Sequence, residues 1–119
     1  MIAGIGTDII KISRAAKACE RESFLSKVYT EKERELIQGN ASRAAGNFAV
    51  KEAVVKAFGT GFGKIRPAEI EVLREQSGKP CICLSGAAKQ QAELMGIQSL
   101  HVSISNEKEY AVAFVVAEG

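Results

Sequence analysis

Apolar positions along this chain follow several distinct rhythms, and each rhythm predicts an element. Ile2–Ile10 is nearly all apolar, with glycine at two alternate positions, Gly4 and Gly6. Such a run reads as a buried strand that a neighbouring backbone approaches closely. Ser13 is placed to cap a helix running through about Arg21. Thr30, with Glu33 three residues on, makes a capping box that opens a short polar helix ending near Gly39. Ser42 can cap a third helix reaching about Phe58, and the glycines of Gly59–Gly63 stop it.

The second half of the chain changes character. Ile70, Val72 and Leu73 suggest a strand, Ser77–Gly78 a turn, and Pro80 leads into Cys81–Leu84 as the hairpin partner. Ser85 can cap a helix through Met95, closed by Gly96. Leu100, Val102 and Ile104 alternate with His101, Ser103 and Ser105, the period of a half-buried strand. Asn106–Glu109 is a polar turn. Tyr110–Ala117 is almost wholly apolar and gives a last strand, buried in the core or at a subunit interface. The order is strand, three helices, two strands, helix, two strands. It predicts an α+β fold with helices packed on a mostly antiparallel sheet, as one domain over residues 1–119.

Composition narrows the classes. The chain has 119 residues, 46% hydrophobic and 25% charged, with a net charge of +2. That balance belongs to a soluble globular domain and excludes nucleic-acid binding carried by bulk charge. No apolar run approaches the ~20 residues needed to cross a bilayer, and MIAGIGTDII lacks the basic and apolar regions of a secretory signal. A cytoplasmic protein with no membrane partner is the expectation. Cys19, Cys81 and Cys83 are odd in number and contain no CxxC, which argues against a disulfide framework or a structural zinc site. They read as buried, reduced thiols.

Candidate chemistry lies on the third helix and the first strand. Ala44, Ala45, Phe48, Ala49, Val50, Ala53, Val54, Val55, Ala57 and Phe58 cover most of the helix surface, so the helix is expected to be buried. Glu52 and Lys56 sit within it, four residues apart on one face. They make either an intrahelical salt bridge or a functional pair, with Glu52 holding a metal and Lys56 gripping a phosphate. Asp8 ends an apolar strand, either as a solvated terminus or facing a cleft. With Glu52 it would supply the two carboxylates with which proteins commonly hold Mg²⁺. Phe58–Lys64, FGTGFGK, places three glycines where backbone could meet a ligand, although it follows a helix and is no P-loop. On the first helix Arg14, Lys17 and Arg21 fall within a ~60° sector opposite Ile12, Ala15, Ala16 and Cys19. That stripe is either a solvated face or a dock for an acidic partner.

GIGTDI (Gly4–Ile9), NFAVKEAVVKAFGTG (Asn47–Gly61), GKP (Gly78–Pro80) and HVSISNEKEYAVAFVV (His101–Val116) together resemble the 4′-phosphopantetheinyl transferases of the small bacterial holo-acyl-carrier-protein synthase type. The resemblance runs over essentially the whole chain. It implies that fold, and transfer of the phosphopantetheine arm of coenzyme A to a serine of apo-acyl carrier protein, with Mg²⁺ required and 3′,5′-ADP released. It implies metal binding by Asp8 and Glu52, with Glu52 and Lys56 as catalytic residues and Lys56 on the pyrophosphate. Coenzyme A contacts would fall to Lys56, Gly59, Thr60, Gly61, Lys79, Pro80, His101, Ser103 and Asn106. A homotrimer with clefts between subunits is implied, and Arg14, Lys17 and Arg21 would meet the carrier protein. Two positions depart from the pattern. Asn106 stands where many relatives have histidine, and Asn47 where many have arginine, with Arg43 one turn earlier as a substitute phosphate contact. Two alternatives are a coenzyme A or nucleotide-binding module without turnover, and a trimer that only holds an acidic protein.

Overall fold

The structure, a computed structural model, describes residues 1–119. The chain runs β1 (Ile2–Lys11), α1 (Ile12–Ala18), α2 (Glu22–Val28), α3 (Glu31–Ile37), α4 (Ala41–Phe58), a 3₁₀ turn (Pro67–Glu69), β2 (Ile70–Arg74), β3 (Pro80–Leu84), α5 (Gly86–Leu94), β4 (Ser99–Asn106) and β5 (Tyr110–Glu118). β5 lies between β1 and β4 in one antiparallel sheet, and β2 pairs with β3 in an antiparallel hairpin. The expected α+β architecture on antiparallel sheet is what forms. No helix is long and apolar enough to cross a membrane.

Helix α4 lies across the three-stranded sheet and is buried around most of its circumference. It can lie close because the sheet offers it almost no side chain. From β5 it meets Ala111, Ala113, Val115 and Ala117, all fully buried. From β1 it meets Gly4 and Gly6. A β-carbon at Gly4 would collide with the carbonyl oxygen of Ala57, and one at Gly6 with that of Ala53. The alternating glycines read from the sequence are therefore the contact surface of strand on helix. Asp8 and Ile10 continue the same face of β1 by the two-residue period of a strand.

The opposite face of the sheet is uncovered and is apolar along β1 and β5, so β1, expected as a buried strand, is covered on one face only, because nothing in the chain packs on the other. Ile5 and Ile9 of β1 are 60% and 62% exposed, and Phe114 of β5 is 47% exposed. The alternate residues of β5 are the buried alanines and Val115, so the last strand divides its side chains between the core and an open face.

Four local expectations are corrected. The first helix starts at Ile12 after Lys11, with no side-chain cap from Ser13, and stops at Ala18. A separate helix, α2, follows, and Arg21 precedes it in extended conformation. The chain therefore has four helices before β2. Asn40 caps α4 through a bond from Arg43 N at 3.1 Å; Ser42 already lies inside the helix. Ser85 makes no side-chain cap for α5. Its place is taken from a distance by the Glu69 carboxylate, which accepts from Ala87 N at 3.2 Å and Arg66 N at 3.0 Å. These donors, Arg66 N first, hold the Glu69 pKa below the usual carboxylate range. The thiols are free, but Cys83 is exposed and Cys19 and Cys81 only half-buried: Cys81 and Cys83 lie on the short hairpin strand β3, and Cys19 ends α1.

Replacing Gly6 by alanine puts a methyl group into a backbone carbonyl, which cannot swing aside as a side chain would. Gly6→Ala should lower stability by about 3 kcal/mol, the upper end for overpacking. Thermal unfolding should show a fall of roughly 10 °C; a melting temperature unchanged from wild type would contradict the contact.

Candidate active site

Asp8, Glu52 and Lys56 meet in one open cavity of about 410 Å³ between β1, α1, α2 and α4. Its mouth carries Lys11 and Arg14, and its apolar end is formed by Ala18, Phe24, Tyr29 and Phe48. Strand pleat brings Asp8 inward beyond Gly4 and Gly6. Helical spacing puts Glu52 and Lys56 on the edge of α4 that overhangs Asp8.

The ion pair differs from the expected intrahelical bridge. Lys56 Nζ donates to Asp8 Oδ1 at 3.0 Å and to the Thr7 carbonyl at 3.0 Å, reaching across to the strand and leaving Glu52 without a salt bridge. Asp8 Oδ2 is buried and has no hydrogen-bond partner. Glu52 is half-buried, and burial raises its pKa above the usual carboxylate range. The Asp8 charge raises it further, with Lys56 opposing. An orphaned carboxylate oxygen beside a second carboxylate starved of positive charge is a site that a cation would relieve. The donors are hard oxygens and only two in number, and no group of three or more His, Cys, Asp or Glu gathers anywhere in the chain. That suits Mg²⁺, which completes its shell with water and substrate phosphate oxygens.

Other expected residues lie elsewhere. Gly59 and Gly61 take left-handed backbone (φ 76° and 65°) after the C-terminus of α4, with Thr60 Oγ1 donating to the Gly61 carbonyl at 2.7 Å. Lys79 and Pro80 belong to the β2–β3 hairpin. His101 and Ser103 lie on the outer face of β4, where His101 Nε2 meets Glu118 Oε1 at 2.8 Å. Asn106 donates to Ser42 Oγ at 2.7 Å and ties the end of β4 to the first turn of α4. None of these lines the Asp8 cavity. Of the basic stripe, Arg14 and Lys17 share α1. Arg21 has left that helix and borders a separate shallow depression with Lys27.

Two substituted positions are also placed. Asn47 is fully buried; its amide donates to Glu33 Oε2 and the Val72 carbonyl, both at 3.0 Å, and accepts from Arg74 Nη2 at 3.0 Å. It faces the core, away from the cavity. Arg43 donates to the Leu36 carbonyl and also lies outside the cavity lining, so it does not stand in for a phosphate contact there. Two features escaped sequence reading: the apolar end built by Phe24, Tyr29 and Phe48, and the fully buried Lys51. The signal for the latter was a lysine within an otherwise apolar helix.

Residues 4–115 match the model of the 4′-phosphopantetheinyl transferase superfamily, and the chain belongs to that family. Among particular relatives, it is 55% identical over 118 residues to a holo-[acyl-carrier-protein] synthase of Lachnoclostridium phytofermentans, covering 99% of this chain and 97% of that one. The holo-[acyl-carrier-protein] synthase of Neisseria meningitidis superposes with a TM-score of 0.90 at 33% identity, over 100% of both chains. That of Helicobacter pylori, solved in complex with coenzyme A, gives 0.87 at 36% identity over 96% of this chain and 99% of its own.

The charge arrangement fixes a pH dependence. A carboxyl group whose pKa is raised keeps its proton to higher pH, so cation affinity should fall as pH drops through the Glu52 pKa. In metal-free protein followed by carboxyl NMR, Glu52 should titrate above the usual glutamate range. Asp8→Asn should lower that midpoint, because it removes the repelling charge and frees Lys56, while burial keeps it from falling fully to the unperturbed value. A Glu52 midpoint unmoved by Asp8→Asn would show that the two carboxylates do not share a site.

Proposed function

We infer that this chain transfers the 4′-phosphopantetheine arm of coenzyme A to a serine of apo-acyl carrier protein, with release of 3′,5′-ADP. The observation that carries this reading is the convergence of Asp8, with its orphaned oxygen, Glu52 and Lys56 in one cavity of a chain of this family.

The residues divide the work by charge. The serine oxygen attacks the phosphorus that bears the pantetheine arm; the bond from that phosphorus to the oxygen of the 3′,5′-ADP half breaks, and the serine proton must leave. Lys56 is about half-exposed and held only by Asp8 and a carbonyl, so its ammonium can turn to the diphosphate and stabilise the leaving charge. Glu52 lines the cavity beside Lys56 and can accept the serine proton through a water. Asp8 and Glu52 would hold Mg²⁺, which when bound neutralises the diphosphate charge that otherwise repels the nucleophile. Arg14 at the cavity mouth and Lys17 one turn along α1 present positive charge to an acidic carrier.

The reading extends to a homotrimer acting in the cytoplasm. Self-association is supported by the open apolar face of Ile5, Ile9 and Phe114, together with the position of Gly59–Gly61, Lys79, Pro80, His101 and Ser103 away from the Asp8 cavity within one chain; the number of copies is the one the family resemblance implies. Packing that face against another copy buries exposed isoleucine and lets one subunit's strands complete its neighbour's cleft.

Mixed with apo-carrier protein, coenzyme A and Mg²⁺, the protein should raise the carrier's mass by one phosphopantetheine arm in mass spectrometry. Lys56→Ala should lower kcat/KM on the order of 10²-fold, as for loss of one group stabilising transition-state charge. A carrier mass unshifted by wild-type protein would refute the transfer, and coenzyme A binding without it would leave a binding module. Lys17→Glu, outside the cavity, should raise the KM for carrier protein about tenfold and leave coenzyme A affinity intact; loss of coenzyme A affinity instead would remove Lys17 from the docking face.

A further inference from the structure

Lys51 and Glu33 form an ion pair whose side chains are both wholly removed from solvent. All three Lys51 protons are used: on Glu33 Oε1 at 2.7 Å, the Pro67 carbonyl at 2.9 Å and the Ile70 carbonyl at 2.6 Å. Glu33 Oε1 also accepts from Thr30 N, while Oε2 accepts from Asn47. Asn47 and Lys51, one turn apart on α4, are thereby bonded to α3, the 3₁₀ turn and β2 by a closed polar network. The network takes no part in the chemistry described above.

A buried ion pair is poor value as a stabiliser, since well-packed apolar residues often serve as well or better; its best-attested use is to fix register. Helix α4 needs such a device. Its apolar residues spread round most of the circumference, so apolar burial alone discriminates weakly between rotations; the Gly4 and Gly6 contacts hold one side of the helix and the polar network holds the other. Glu52 follows Lys51 directly and so projects ~100° further round the same helix. A carboxyl group roughly 6 Å from the axis moves about 1 Å for each 10° of helix rotation. An error of that size in a catalytic site costs on the order of 10²-fold in rate.

We propose that the buried Lys51–Glu33 pair is a positioning element that sets the rotation of α4 and thereby aims Glu52 and Lys56 at Asp8. The inference rests on the functional reading above for its rate consequence, but its geometry can be tested with a metal alone. In the double variant Lys51→Met/Glu33→Leu, apolar side chains of similar length replace the pair without leaving a lone charge, but Thr30 N and the Pro67 and Ile70 carbonyls lose their partners, so the melting temperature should fall and the assays are run well below it. Mn²⁺ binding without coenzyme A, followed by electron paramagnetic resonance, should nevertheless weaken about tenfold. In the transfer assay kcat should fall at least tenfold, with the KM for carrier protein unchanged. A merely structural role predicts that only the melting temperature falls; Mn²⁺ affinity and kcat within twofold of wild type in the folded double variant would overturn the proposal. Should the double variant not fold, Glu33→Asp decides: it keeps the paired charge but draws the carboxylate back by one methylene, and it should weaken Mn²⁺ binding at least threefold, an unchanged affinity again overturning the proposal. Wild-type protein that binds Mn²⁺ but transfers nothing would sink the functional reading while leaving the comparison of metal affinities intact.

Discussion

The contact between the β1 backbone and α4 governs the rest of this molecule. Gly4 and Gly6 lie where any β-carbon would strike the carbonyls of Ala57 and Ala53, so strand and helix approach as closely as backbones allow. That approach puts the next inward position of the strand, Asp8, within reach of a lysine from the following turn of the helix. Had the strand carried side chains at positions 4 and 6, the helix would stand further off and the Lys56–Asp8 bond would not close. Packing thus sets the distance between the strand carboxylate and the helix lysine, and glycine supplies it at the conformational cost that glycine always carries.

Around α4 four interests share one circumference. Ala53 and Ala57 meet the glycine strand, Val50, Val54 and Val55 enter the core, Asn47 and Lys51 enter the polar network, and Glu52 with Lys56 borders the cavity. An 18-residue helix has about five turns, enough for each interest to recur one turn apart. This explains a sequence that is apolar on nearly every side and yet carries three charges in six residues.

What could be read from the sequence was local or strictly periodic. The Thr30–Glu33 capping box, the glycine stop after Phe58, the alternation in Leu100–Ser105 and the paired glycines of β1 each act through neighbours in the chain, and each stands in the structure as expected. The failures were non-local. Ser85 was a reasonable cap, but a carboxylate sixteen residues earlier does the work. Glu33 was seen as a capping residue, which it is, yet the same carboxylate also pairs with Lys51 eighteen residues away. The break between α1 and α2 has no glycine or proline to announce it, so periodicity alone extends α1 to Arg21 and gives no sign that Phe24 turns into the cavity. Asp8, Glu52 and Lys56 were found as residue types in a pattern. Their mutual arrangement, with lysine on the strand aspartate, depends on the fold.

The two lysine–carboxylate pairs of α4 show how burial assigns a role to the same chemistry. Lys51 and Glu33 are closed off from water; neither can leave its partner without stranding a charge in the core, so the pair can only hold. Lys56 and Asp8 sit at a cavity with the lysine about half-exposed, so water or an incoming anion can take up the ammonium while Asp8 stays largely buried. That pair can exchange. A diphosphate entering the cavity offers Lys56 more negative charge than Asp8 does, and a departing Lys56 leaves Asp8 with both oxygens free for a cation. Metal-free and ligand-bound electrostatics then differ by the movement of one flexible side chain, with the helix that carries it held fixed by the other lysine five residues earlier.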